Sequence, residues 1–236
     1  MNLIILFEND FVDGLERVRL QGRRLRHVLE VHRAEVGDEL HIGMLGGLAG
    51  KGRVTCLNNG CLEMDVELNI PPPEALPATL ILALPRPKVL RRVLLSVSSM
   101  GVKRVVLMNS WRVEKSFWQS PVLKEDNMRR YLIMGLEQAR DTVLPEVVLR
   151  PLFKPFVEDE LPGLVRETFA VVAHPDAPIP CPLGAGRPVT AAIGPEGGFV
   201  PYEVEKLVSC GFSAVRLGDR ILRVETAIPF LLSKLL

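Results

Sequence analysis

The segment TAAIGPEGGFVPYE, residues 190–203, decides how this 236-residue chain is read. An apolar strand ends at Ile193 and runs into Gly194, Pro195, Glu196, Gly197 and Gly198. Three glycines in five residues let a backbone approach a ligand closely, and Pro201 suits the first turn of the helix that follows. Strand, glycine loop and helix in that order are the unit of an open α/β sheet, where ligands bind in crevices beyond the carboxyl ends of strands. The same residues also read as a tight turn with no ligand. Neither GxGxxG nor GxxxxGK[ST] is present, which argues against a dinucleotide or P-loop phosphate cradle.

Working outward, the same alternation recurs on both sides. TLILALP, VKRVVLMN, TFAVVAH, PVTAAIG and SAVRLG are buried-strand runs, while Lys88 to Met100, Lys124 to Arg140, Pro201 to Ser209 and Leu222 to Leu235 have helical spacing. In the second of these helices Met128, Leu132, Leu136 and Ala139 form one stripe, with Lys124, Arg129 and Arg130 largely off it. Strands alternating with helices predict an α/β fold with a mostly parallel sheet covered on both faces. The pattern changes upstream of IPPPEALP, residues 70–77, where four prolines in eight residues disfavour helix and sheet alike. Before that break, LIILF, DELHIGM, KGRVTCL and CLEMDVELN are short strands separated by Gly46-Gly47 and Asn58-Asn59-Gly60, with one helix from Gly22 to His32. Two domains are expected, a small β-barrel over residues 1–72 and an α/β domain over residues 73–236.

Composition narrows the function. With 47% apolar and 24% charged residues the chain can bury a true core, and a net charge of +1 means that any nucleic-acid-binding surface must be local. Such a surface is visible. Arg17, Arg19, Arg23, Arg24, Arg26 and Arg33 fall in one short stretch with His27 and His32, opposed only by Glu30, a local excess of five positive charges. Phosphate contacts from such a cluster would supply affinity and register without reading sequence; the competing reading is a solvated helix face. Arg86, Lys88, Arg91 and Arg92 make a second basic group. Cys56, Cys61, Cys181 and Cys210 form no CxxC pair, and the four histidines are scattered, so no metal site and no disulfide framework is expected. MNLIILFEND lacks a basic region before its apolar run and no segment reaches the roughly 18 apolar residues of a membrane span. A soluble cytoplasmic protein is expected.

A second motif follows about twenty residues after the first. SAVRLGDRILRVETAIPFLLSKLL carries Arg220, Arg223 and Glu225 in an otherwise apolar context, which alone would read as a salt-bridged helix start. Paired, IGPEGGF and LGDRILRVETA closely resemble the signature of the 16S rRNA uridine-N3 methyltransferase family of the SPOUT superfamily. HVLEVHRAEVGDEL is similar to that family's HVLR…GD element, and the proline linker falls where the family passes from its barrel to its catalytic domain.

The resemblance implies a small N-terminal PUA-like β-barrel that binds RNA and a C-terminal trefoil-knotted SPOUT domain. It implies S-adenosylmethionine as cofactor, contacted by Ile193, Gly194, Pro195, Gly197 and Gly198, with Leu217, Gly218, Ile221, Leu222 and Arg223 closing the pocket and Ala173, His174 and Pro175 as a third wall. It further implies 16S rRNA or the small ribosomal subunit as partner, a homodimer, and methyl transfer to a uridine N3. That imide must lose its proton, and the candidates are Glu225 or Glu196 as base and Arg223 as the cation facing the developing anion. The chain departs from the family at Val28-Leu29-Glu30, at Ser99-Met100-Gly101 and near Arg140-Asp141, while Glu137-Gln138 and Pro145 are kept. These departures bear on the RNA target, so another nucleotide, or a non-catalytic RNA-binding protein of the same fold, stays in view. The apolar helix AIPFLLSKLL reads either as a dimer face or as core.

Overall fold

The computed structural model describes residues 2–14, 16–58 and 60–236; the side chains of Asp13, Arg23, His27, Val31 and His32 lie outside that description. The chain divides into two compact units. The first comprises Met1–Glu74 together with Ser98–Gly101 and Leu132–Leu144, and the second comprises Ala75–Val97, Val102–Tyr131 and Pro145–Leu236.

The first unit is a curled, mixed six-stranded sheet. Its strands are β1 (Ile4–Leu6), β2 (Phe11–Asp13), β3 (Arg17–Leu20), β4 (Glu39–Met44), β5 (Ala49–Leu57) and β6 (Leu62–Ile70), in the spatial order β1-β4-β5-β6-β3-β2. β1 and β4 run parallel and the other neighbours antiparallel. Alternation places Val18, Leu20, Ile42, Val54, Leu62 and Met64 inside, where they pack with Leu25 and Val28 from the helical segment between β3 and β4. That segment is α1 (Gly22–His27) continued by a wider, π-type turn over Val28–His32, so the expected helix is present with an altered second half. A second apolar cluster joins Leu3, Ile5 and Ala49 to Ile133 and Leu136.

The second unit is a seven-stranded sheet in which every pair is parallel. Its strands are β7 (Leu76–Ala83), β8 (Val102–Met108), β9 (Glu146–Arg150), β10 (Phe169–Ala173), β11 (Ile179–Pro180), β12 (Val189–Ile193) and β13 (Ser213–Arg216). They lie in the order β11-β13-β10-β12-β7-β8-β9. The helices are α2 (Pro87–Ser99), α3 (Glu125–Ala139), the short α4 (Phe153–Pro155) and α5 (Leu161–Val165), α6 (Pro201–Ser209) and α7 (Val224–Leu235). α2 buries Leu90, Val93, Leu94 and Val97 at helical spacing. β12 is buried at all five positions, as a strand flanked on both edges and covered on both faces must be. From β7 the chain steps to β8 and β9 in one direction and then returns to build β10, β12 and β13 on the other side, so the order reverses between β7 and β12.

β2, β3, β9 and β11 were not anticipated, nor were the helical turns between Phe153 and Val165. Arg17 and Arg19 stand on the outward face of β3, alternating with buried Val18 and Leu20, and not on a helix. α7 starts at Val224 because Arg223 is extended at its N-cap, with φ −66° and ψ 152°. Among the described residues, no helix is long and apolar enough to cross a membrane and no cluster of His, Cys, Asp or Glu is arranged to hold a metal ion.

Close strand packing makes one substitution costly in the first unit. A Cβ at Gly50 would lie 1.8 Å from the Glu67 carbonyl oxygen, whereas one at Gly47 would meet only the Met44 side chain and carbonyl at 3.4 Å or more. Gly50→Ala should lose about 3 kcal/mol, because backbone has to move to admit the methyl, while Gly47→Ala should stay within about 0.5 kcal/mol of wild type. Urea denaturation of the two variants, followed by circular dichroism, measures both.

Candidate active site

The carboxyl ends of β7, β10, β12 and β13 open on one cavity of about 570 Å3, inside the roughly 300–1,000 Å3 range of small-molecule sites. It lies where the strand order reverses, which is the expected position in an open parallel sheet. One wall is Ile193 to Glu196 with Gly198, a second is Ala173 to Pro175, and a third is the segment from Leu217 to Glu225. Val89 and Ala227, on α2 and α7, add apolar surface, and Arg86 and Arg92 stand with them.

The glycine loop has its shape for local reasons. A Cβ at Gly194 would sit 2.9 Å from the Phe199 amide nitrogen, so the loop closes on itself only without a side chain there. Gly198 has φ +73°, in the left-handed region where glycine carries no steric penalty. Its amide donates to the Pro195 carbonyl at 2.7 Å, closing the turn. The chain then enters α6 at Pro201, and Glu203 reaches back to accept from the Val200 amide at 2.9 Å. The other oxygen of the same carboxylate accepts from the Trp111 amide at 2.7 Å. Glu203 is only 3% exposed, and two backbone donors at a helix N-terminus make burial of its charge tolerable.

The structure brings most of the expected cofactor residues together. Ala173, His174, Pro175, Ile193, Gly194, Pro195, Gly198, Leu217, Gly218, Ile221, Leu222 and Arg223 all line the one cavity. Gly197 does not. It backs onto Arg112, whose guanidinium donates to the Gly197 carbonyl, and a Cβ there would meet the Arg112 side chain at 3.0 Å. His174 is held by its own backbone, donating to the Val215 carbonyl at 3.0 Å, while its Nδ1 accepts from the Asp176 amide at 3.3 Å.

The candidate acid–base residues also border the cavity. Glu225 is ion-paired to Arg92 at 3.2 Å through Oε1, and Glu196 accepts from the Arg86 amide at 3.0 Å. Of the second basic group, Arg86 and Arg92 stand at the cavity rim. Lys88 and Arg91 are exposed beside them, Arg91 lying 5.9 Å from the centroid of the Tyr131 ring. Cys181 is buried and desolvation pushes its thiol up, away from nucleophilic use.

The N-terminal arginine cluster is weaker than its count suggests. Arg17 pairs with Asp65 at 3.1 Å and Arg19 with Glu63 at 2.7 Å, both directly across the β3–β6 ladder. Arg24 is tied to Asp10 and stacks 4.8 Å from the Phe7 ring. Three of the six arginines therefore face carboxylates, which offsets part of the local positive charge. Arg26 and Arg33 are exposed, and the side chain of Arg23 lies outside the described residues.

Comparison with known proteins agrees with this geometry. The RNA methyltransferase domain family matches the chain over residues 72–236. The chain belongs to that family. It is 29% identical over 232 residues to the ribosomal RNA small subunit methyltransferase E of Treponema pallidum, covering 96% of this chain and 87% of that one. It is 23% identical over 233 residues to ribosomal RNA small subunit methyltransferase E 1 of Borreliella burgdorferi, covering 96% and 94%. Among solved structures, ribosomal RNA small subunit methyltransferase E from Neisseria gonorrhoeae bound to S-adenosyl methionine superposes with a TM-score of 0.73 at 22% identity, over 98% of this chain and 94% of that one. A methyltransferase from Legionella pneumophila with bound cofactor gives 0.71 at 21% identity, covering 99% and 96%. The shared fold thus extends through both sheets of this RNA methyltransferase.

Two residues of the site carried no readable signal. Glu203 looked like an ordinary first-turn glutamate, and Arg112 lies 85 positions from the glycine whose carbonyl it holds. Glu203→Ala should leave the Trp111 and Val200 amides without their acceptor and cost about 1–3 kcal/mol. Hydrogen exchange at those two amides should accelerate while exchange along β12 stays protected, which mass spectrometry of exchanged peptides measures.

Proposed function

We propose that this chain transfers a methyl group from S-adenosylmethionine to the N3 of a uridine in 16S rRNA. The observation that carries the reading is the convergence of both motif loops on a single cavity of the right size. The fit to the cofactor is chemical. Ile193, Leu217, Leu222, Val89 and Ala227 present apolar surface for an adenine ring, loop backbone provides hydrogen-bonding groups, and the carboxylate of Glu196 complements a cation. Bound there, S-adenosylmethionine would supply a methyl already activated on a sulfonium, so the chain's work is mainly positioning.

The remaining task is the uridine proton. A neutral imide nitrogen is a poor nucleophile, and its deprotonation calls for a base within hydrogen-bond reach. Glu225 is our assignment: it borders the cavity, Arg92 fixes its Oε1, and Oε2 has no hydrogen-bond partner among the described residues. Arg223, exposed at the N-cap of α7, is assigned to the negative charge that develops on a carbonyl oxygen of the base. Glu196, engaged with the Arg86 amide, has the more structural role.

The wider reading follows from the resemblance. Residues 1–72 would form a PUA-like β-barrel contributing RNA affinity through Arg26 and Arg33, and residues 73–236 a SPOUT domain with a C-terminal trefoil knot. In support of the knot, the amides of Gly184 and Ala185 donate to the Lys234 and Leu235 carbonyls at 2.7 Å, so the connection into β12 closes over the last turn of α7. Exposed Phe230 on α7 and Leu236 just after it, with Leu183 close in sequence to the clasp, support a homodimer. The expected setting is the cytoplasm, with the small ribosomal subunit or its RNA as partner.

Calorimetric titration tests the cofactor first. The wild-type protein should bind S-adenosylmethionine, and a folded Ala227→Phe variant, which fills the cavity from α7, should not; binding by neither removes the reading. With binding in hand, mapping of the modified base in small-subunit RNA identifies the acceptor atom. Glu225→Gln should keep cofactor affinity and lower the methylation rate by about 100-fold or more; an unchanged rate would show that another group takes the proton.

A further inference from the structure

We propose that Trp111 is a stacking platform for an unpaired nucleotide next to the one being methylated. The idea rests on the RNA methyltransferase reading of the neighbouring cavity and adds to it a specific recognition element. Of the two tryptophans in the chain, Trp118 is half-buried and donates from Nε1 to Asn109 Oδ1 at 3.0 Å. Trp111 is 83% exposed, and its indole has no partner among the described residues.

The backbone that carries that indole is tied at several points. Trp111 occupies a tight turn closed by the Val113 amide donating to the Ser110 carbonyl at 3.0 Å. Ser110 and Val113 are buried on either side of it. The Trp111 amide is fixed by the buried Glu203 carboxylate at 2.7 Å, and the adjacent Arg112 is tied to the carbonyl of Gly197, between two residues that line the cavity. A ring left 83% in water contributes little to the packing of the turn that carries it. A ring on an immobilised backbone, by contrast, binds with little further loss of conformational freedom.

The chemistry of the surroundings selects the ligand. A flat indole fits the face of a nucleobase, and stacking of this kind tolerates any base because every base has a π-face. The cavity, whose glycine loop is joined to this turn through the Arg112–Gly197 contact, carries Arg86, Arg92, Arg220 and Arg223 at its rim, against the carboxylates of Glu196 and Glu225. A phosphate chain can therefore run past the indole toward the cavity. Bases within a duplex are stacked on one another and offer no face, so the strand that fits is unpaired. Methylation at a uridine N3 makes the same demand, since N3 carries the proton used in base pairing.

Three measurements on the full-length protein decide the matter. In a Trp118→Phe background Trp111 is the sole tryptophan, and a decamer of oligouridine should quench its emission on titration, whereas an RNA duplex of equal length should not. Trp111→Ala should raise the KM for small-subunit RNA on the order of tenfold. Its kcat should stay within about twofold and its S-adenosylmethionine affinity should not change, because the indole touches neither the cofactor nor the reacting atoms. Trp111→Phe should recover most of the loss. Oligouridine that binds, by fluorescence anisotropy, without quenching, together with an unchanged KM for Trp111→Ala, overturns the stacking role and leaves the methyltransferase reading standing. A wild-type protein that binds neither S-adenosylmethionine nor RNA removes both.

Discussion

The carboxylate of Glu203 holds two loops of different origin in one place. One of its oxygens accepts from the residue that follows β8 by three positions, the other from the residue that opens α6. The glycine loop lies immediately before that helix, so its position relative to the rest of the sheet depends on this single buried group. Arg112 adds a second tie from the same side, through the Gly197 carbonyl. With these charge-assisted contacts acting on a glycine-rich loop flanked by buried Ile193 and Phe199, the cavity wall is preorganised. That matters for methyl transfer in particular, because an activated donor leaves in-line placement as the main requirement.

The site separates its polar and apolar work. Apolar side chains and backbone make the floor and walls, while ionic groups stay at the rim, where each has an identified partner or a clear exposure. Burying charges without partners inside such a cavity would cost several kcal/mol apiece, and pairing Glu225 with Arg92 avoids that while leaving one oxygen at the opening. The same economy runs through the first unit, where Arg17 and Arg19 are set against Asp65 and Glu63 across a strand pair. A chain of near-zero net charge that acts on RNA has to present its cations locally, and the exposed ones here include Arg26, Arg33, Lys88 and, at the cavity rim, Arg86, Arg220 and Arg223.

Much of this was legible in the residues themselves. Periodicity located β7, β8, β10, β12 and β13 and the helices α2, α3, α6 and α7, because a strand buried on both faces reads as an unbroken apolar run and an amphipathic helix as a stripe. Residues of both IGPEGGF and LGDRILRVETA line the cavity, with Gly197 turned away from it. β9 and β11 escaped notice for opposite reasons. β9 is half-exposed and carries Glu146 and Arg150, while β11 is two residues long and adjoins prolines. The arginine cluster misled because sequence proximity says nothing of cross-strand partners: Asp65 and Glu63 lie more than forty positions away and become neighbours only through the β3–β6 register. Glu203 and Arg112 escaped for the same reason, since each acts on backbone supplied by a distant segment.

The reversal of strand order between β7 and β12 accounts for why these scattered groups meet at all. The turn after β7 delivers Arg86, α2 delivers Arg92, β12 delivers the glycine loop, and β13 delivers the segment that ends in Glu225. Because neighbouring parallel strands point the same way, their carboxyl ends form one ledge. The connections that leave β7 and β12 diverge, which opens a crevice between them that no side chain need fill. α7 then packs its apolar stripe against β12 from below, burying Ile228, Leu231, Leu232 and Leu235, and turns Glu225 and Ala227 toward the crevice. The helix that anchors the C-terminal segment is thus the same helix that carries the proposed base, so loosening its seat on β12 would displace the carboxylate along with it.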